Sequence, residues 1–184
     1  MNAYSQERRK GVFQLAVIVA ALGYFVDIYD LLLFTVVKQA SLFGLGSTDS
    51  TILADSTRVI NWQMVGLLLG GIIWGVLGDK KGRLSVLFGS IILYSAANFA
   101  TGFIHTVNQY ALCRFLAGLG LAGELGAGIT LVSELLPKNK RGIGTSLVAG
   151  IGLIGAVFAY FTYRYTGDWR LCYKIGGALG IALL

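Results

Sequence analysis

Four ionisable side chains stand where ionisable side chains are expensive. Asp27 and Asp30 lie deep in one apolar run, and Arg114 and Glu124 lie deep in another. On insertion scales each such charge costs about 2.5–3.5 kcal/mol at the centre of a spanning helix. They serve either as static ion pairs that fix helix register or as a path for substrate or protons, and intramembrane charges point to function by default. Asp27 and Asp30 are three residues apart, so they share a helix face with Tyr24 and Phe34. Tyr24 or Tyr29 either packs at an interface or offers a hydroxyl to a substrate, and Asn61 and Gln63 are weaker candidates of the same kind. His105 reads as a loop residue at the outer surface. Cys113 and Cys172 sit in apolar stretches and read as small buried hydrophobes, without the spacing of a disulfide or metal site. No catalytic triad, metal-ligand cluster or phosphate-cradling glycine loop stands out, so an enzyme is not expected, and neither is a resident cofactor.

The elements that must position these residues follow from composition. The chain has 184 residues, 55% of them apolar and only 13% charged. A soluble domain carries about a quarter charged residues. Too few polar residues remain to cover a water-facing surface, which also excludes a disordered chain. The net charge of +6 sits in small basic groups between apolar runs and does not form a nucleic-acid-binding arm. Six apolar blocks span residues 11–37, 59–78, 84–104, 109–132, 143–163 and 171–184. Each is far longer than a strand, and lipid forces backbone polar groups to pair within the segment. The expectation is an all-α membrane protein, a six-transmembrane-helix bundle forming one domain over residues 1–184.

Basic residues set the orientation. With the N-terminus cytoplasmic, the inner segments hold nine: Arg8, Arg9, Lys10, Lys80, Lys81, Arg83, Lys138, Lys140 and Arg141. The outer segments hold four: Lys38, Arg58, Arg164 and Arg170. The longest loop, Gln39 to Thr57, then lies outside. Gly66 and Gly70, and again Gly71 and Gly75, form GxxxG patterns in the second block, and Gly118, Gly120, Gly123, Gly126 and Gly128 crowd the fourth. Such glycines let helix backbones approach closely.

Depth arithmetic links the charges. At about 1.5 Å rise per residue, Asp30 lies about 12 Å and Asp27 about 16 Å below the outer end of the first span. Arg114 lies about 9 Å and Glu124 about 24 Å below the outer end of the fourth. If the two spans are neighbours, Arg114 reaches Asp30 and, less directly, Asp27. Glu124 is left deeper, with no evident cation. A carboxyl able to gain and lose a proton inside the membrane suits a proton carrier. Asp30, Asp27 and Glu124 thus read as an acid ladder.

Four stretches carry a family resemblance. Gly75-Val-Leu-Gly-Asp79-Lys-Lys-Gly82-Arg83, between the second and third spans, resembles the signature loop of the major facilitator superfamily. Arg114 followed by spaced glycines resembles the family's fourth span. Ser133-Glu134-Leu-Leu-Pro137-Lys-Asn-Lys-Arg141-Gly142 is similar to its loop before span five, and Asp168-Trp169-Arg170 to the Trp-Arg pair before span six. Gly23-Tyr-Phe-Val-Asp27-Ile-Tyr-Asp30 resembles the phosphate:proton and metabolite:proton symporter branches. Leu125-Gly126 after Glu124 replaces the Tyr-Pro of the phosphate branch, which leans toward organic metabolites.

The resemblance implies the N-terminal half of a twelve-helix transporter, with the sixth helix truncated and a C-terminal six-helix half expected as partner. The implied function is proton-coupled symport of a small, anionic organic metabolite by alternating access, in a plasma (inner) membrane. Asp27, Asp30, Arg114, Glu124 and Tyr24 would form the proton and substrate path. Gly75, Asp79, Gly82, Arg83, Glu134 and Arg141 would form a cytoplasmic gate. The rival readings are an uncoupled facilitator or exchanger, and a half-size membrane interaction subunit that is inactive alone.

Overall fold

The computed structural model describes residues 3–135 and 141–183, with side chains at 18, 21–82, 85–124 and 142–183. Its six helices are α1 (Ala3–Gly44), α2 (Ile52–Lys81), α3 (Arg83–Thr101), α4 (Val107–Leu135), α5 (Arg141–Thr166) and α6 (Trp169–Ile181). No strand occurs among the described residues.

The helices run past the apolar blocks, because hydropathy marks what lipid would cover and helical hydrogen bonding need not stop there. The expected long loop from Gln39 to Thr57 shrinks to residues 45–51. Lys38 to Gly44 continue α1, with the Ser41 hydroxyl donating to the Lys38 carbonyl at 3.1 Å. Ile52 to Thr57 open α2, with Asp55 in its first turn where the helix dipole favours an acid. Asp55 also accepts from the Ser47 hydroxyl at 2.7 Å, which ties the loop to the helix it precedes. Asp168 caps α6 by accepting the Arg170 N–H at 2.8 Å, and the Arg170 guanidinium lies 4.4 Å from the centre of the buried Trp169 ring.

Among the described residues, Ile52–Lys81 and Gly142–Thr166 are long and apolar enough to cross a membrane, and Ser85–Thr101 is a shorter apolar helix. Their outward faces are apolar: Leu68, Ile72 and Val76 on α2, and Leu147, Leu153 and Ile154 on α5, are exposed.

Packing divides the bundle. α4 packs along α2 and α3, α1 packs along α5, and α6 lies against α3 and α1. Glycines set the first contact. A Cβ at Gly66 would collide with the Phe115 carbonyl, and one at Gly118 with the Gln63 carbonyl, so each helix receives the other's backbone. On the far side of α4, Gly120 meets Tyr94 and Ser90 of α3. Gly123 holds the Trp74 ring, whose Nε1 donates to the Leu119 carbonyl at 2.6 Å. Gly71 and Gly75 meet nothing within 4 Å, so one GxxxG pattern is filled and the other is open. Gly126 and Gly128 lie outside the residues with described side chains.

Candidate functional site

α1 and α4 touch directly, which brings the four membrane charges together. Asp27, Asp30, Arg114 and Glu124 are all buried. Arg114 Nη1 donates to Asp30 Oδ1 at 2.7 Å, an ion pair whose two side chains are 0% and 1% exposed. The antiparallel depth count anticipates this pair. Asp27 makes no bond to Arg114. Both of its carboxyl oxygens lack a hydrogen-bond partner, as does Glu124 Oε1. Asp27 and Glu124 nonetheless lie close enough to interact electrostatically, and Asp27 interacts with Asp30 as well. The Glu124 carboxyl presses on Gly23, one turn before Asp27, where any Cβ would strike Oε1. The three acids therefore form a connected series, with Asp27 between the arginine-paired Asp30 and Glu124.

The polar surroundings come from helices that spacing did not single out. Asn98 of α3 accepts from Arg114 Nη1 at 3.3 Å. The Arg114 guanidinium lies 5.5 Å from the centre of the Tyr173 ring on α6. The Tyr173 and Tyr110 hydroxyls are 2.6 Å apart, and the Ser41 hydroxyl donates to Tyr110 at 3.4 Å. Tyr94 and Tyr29 donate to backbone carbonyls, Val26 at 3.2 Å and Cys172 at 2.9 Å. A lone buried amide in the third apolar block was the available signal for Asn98. Tyr110 and Tyr173 had none, because tyrosines are common at the ends of spans.

The remaining candidates divide. Tyr24 is half-buried and packs its ring on Gly152 of α5, one of its two expected roles. Gln63 is buried and Asn61 exposed. His105 is an exposed loop residue whose backbone N–H donates to Gln109 Oε1 at 2.8 Å. Cys172 is buried, Cys113 is half-buried, and both are free thiols. Of the gate residues, Gly75 and Asp79 are exposed on α2. Gly82, at φ +85°, is the single residue between α2 and α3, a conformation glycine adopts without strain. The side chains of Arg83, Glu134 and Arg141 lie outside the described residues, as does Pro137.

Comparison with known proteins gives these contacts a family. The Major Facilitator Superfamily matches residues 13–184. The niacin transporter NiaP of Acinetobacter baylyi is 32% identical over 168 residues, covering 86% of this chain and 36% of that protein. Inorganic phosphate transporter 1-11 of rice (Oryza sativa) is 31% identical over 175 residues, covering 86% and 31%. The fold matches the proton:xylose symporter XylE with a TM-score of 0.82 at 15% identity, covering 95% of this chain and 44% of that one. The chain thus spans less than half the length of the proteins it matches, and these relatives are transporters of small molecules, not enzymes. With the family matched along almost its whole length, the chain belongs to the major facilitator superfamily and is a membrane protein.

Proposed function

We propose that the chain forms the N-terminal six-helix half of a proton-coupled symporter for a small, anionic organic metabolite. The observation that carries this reading is the buried Arg114–Asp30 pair beside the Asp27 and Glu124 carboxyls, whose unpartnered oxygens have no donor. Two carboxylates are acceptors only, whereas a proton between them supplies the missing donor. A proton arriving at Glu124 is thereby one step from Asp27, and Asp27 one step from the arginine-held Asp30. Arg114 has Nε and Nη2 without hydrogen-bond partners, which leaves it two donors for an anion. Relatives named for niacin and inorganic phosphate, both anions at neutral pH, support that charge preference.

The two halves of such a transporter rock about a midplane site. The N-terminus is assigned to the cytoplasm of a plasma (inner) membrane. Gly75, Asp79, Gly82, Arg83, Glu134 and Arg141 are assigned to the inner gate, where carboxylate–guanidinium links would latch the outward-open state.

The test is uptake of radiolabelled nicotinate, benzoate and phosphate into proteoliposomes holding the full-length protein under an imposed proton gradient. Glu124→Gln is expected to abolish gradient-driven uptake while leaving substrate exchange without a gradient. Gradient-driven uptake by Glu124→Gln at the unmodified rate overturns the ladder. Uptake by the unmodified protein that ignores a protonophore overturns proton coupling and favours the facilitator.

A further inference from the structure

The Arg114 guanidinium is completely buried, yet its only hydrogen bonds leave from Nη1, to Asp30 and Asn98. With Nε and Nη2 free of partners, these two bonds alone do not fix the plane of the group. The remaining described contact is the Tyr173 ring, 5.5 Å from the guanidinium carbon, within the range of a cation–π contact. Desolvation strengthens such a contact, and Tyr173 is fully buried. Tyr173 is itself held: its hydroxyl meets that of Tyr110 at 2.6 Å, and its ring packs edge-on to both Tyr110 and Trp169. Tyr110 in turn accepts from Ser41 near the outer end of α1. α6 thus presents a rigid aromatic face to an arginine that α1 and α4 share.

We propose that Tyr173 is a positioning residue. Its ring holds the Arg114 guanidinium against Asp30, and its hydroxyl, tied to Tyr110, fixes the ring, so that α6 sets how the pair responds to protons. This rests on the proton-coupled reading above and adds a residue outside the acid ladder. The titratable groups that interact with Asp30 or Arg114 are Asp27 and Tyr29 from α1, Tyr94 from α3, and Tyr110 and Tyr173 from α4 and α6. Glu124 of α4 stands next to Asp27. Arg114 is the cation of this set.

The test is proton binding to the detergent-solubilised full-length protein, followed with a pH-sensitive dye, with Asp30→Asn marking the contribution of Asp30. Tyr173→Leu is expected to move the midpoint of that contribution by about one pH unit, tenfold in proton concentration. Tyr173→Phe, which keeps the ring, is expected to restore most of it. In an Arg114→Lys background Tyr173→Leu is expected to add no further shift. An unchanged midpoint in Tyr173→Leu, or a full shift that persists beside Arg114→Lys, overturns the positioning role while leaving coupling intact. An Asp30→Asn protein that binds protons as the unmodified one does overturns both. If the leucine variant does not fold, Tyr173→Met takes its place under the same outcomes.

Discussion

Arg114 and Asp30 are a buried ion pair with little room for error. Removing one partner of such a pair leaves the other charge desolvated and unpaired, at a cost of about 3–5 kcal/mol. Arg114→Met is therefore expected to lower the melting temperature sharply in detergent. Adding Asp30→Asn to that variant is expected to recover most of the loss, since the orphaned charge is gone. Equal melting of the single and double variants would show that the pair carries no such strain. The pair itself was legible: two antiparallel spans and a fixed rise per residue put Asp30 and Arg114 at similar depth. The Asp27–Glu124 proximity was not, because it depends on how closely α1 approaches α4. That approach is set by Gly23, whose bare Cα gives the Glu124 carboxyl its place. Asn98, Tyr110 and Tyr173 were illegible for a related reason: no spacing rule says that α3 and α6 stand behind the α1–α4 contact.

At the scale of the element, α2 has two glycine patterns with different fates. The Gly66 and Gly70 positions are occupied by the α4 backbone, so Gly66→Ala forces a backbone shift of the kind that costs about 1–3 kcal/mol. Gly71→Ala meets nothing within 4 Å of its new methyl. It is expected to leave this bundle's stability unchanged or to raise it by up to about 1 kcal/mol through helix propensity. Chemical denaturation of the two variants in detergent separates them, and equal losses would contradict the assignment of faces. Sequence alone showed both patterns and could not rank them, since a GxxxG motif states that close approach is allowed and not which neighbour takes it. The helix ends were misjudged for another reason. Hydropathy falls off at Lys38 and begins again only at Val59, yet nothing between Lys38 and Gly44 breaks a helix, and Ser41 bonds back onto it.

For the whole molecule, the bundle has a seam. α2 and α3 clasp α4 on one side and α5 clasps α1 on the other, and the Arg114–Asp30 pair crosses between them. Orientation across the bilayer is open to direct measurement. With Cys113 and Cys172 replaced by alanine, Ser50→Cys is expected to react with a membrane-impermeant maleimide added outside intact cells. Lys81→Cys is expected to react only after the membrane is opened. Both positions are exposed, so the reverse pattern would overturn the N-inside assignment.

The joint at Gly82 has a consequence for how the chain can be cut and rebuilt. One residue separates α2 from α3, and successive Cα atoms stand about 3.8 Å apart, so the two helix ends cannot part by more than about 8 Å. An epitope tag, a protease site or a new terminus placed there would unpick the hairpin that carries Asn98 to Arg114. The same insertion in the seven residues from 45 to 51 has slack to absorb it. Of these two turns, only the one before α2 offers the chain a place to be opened.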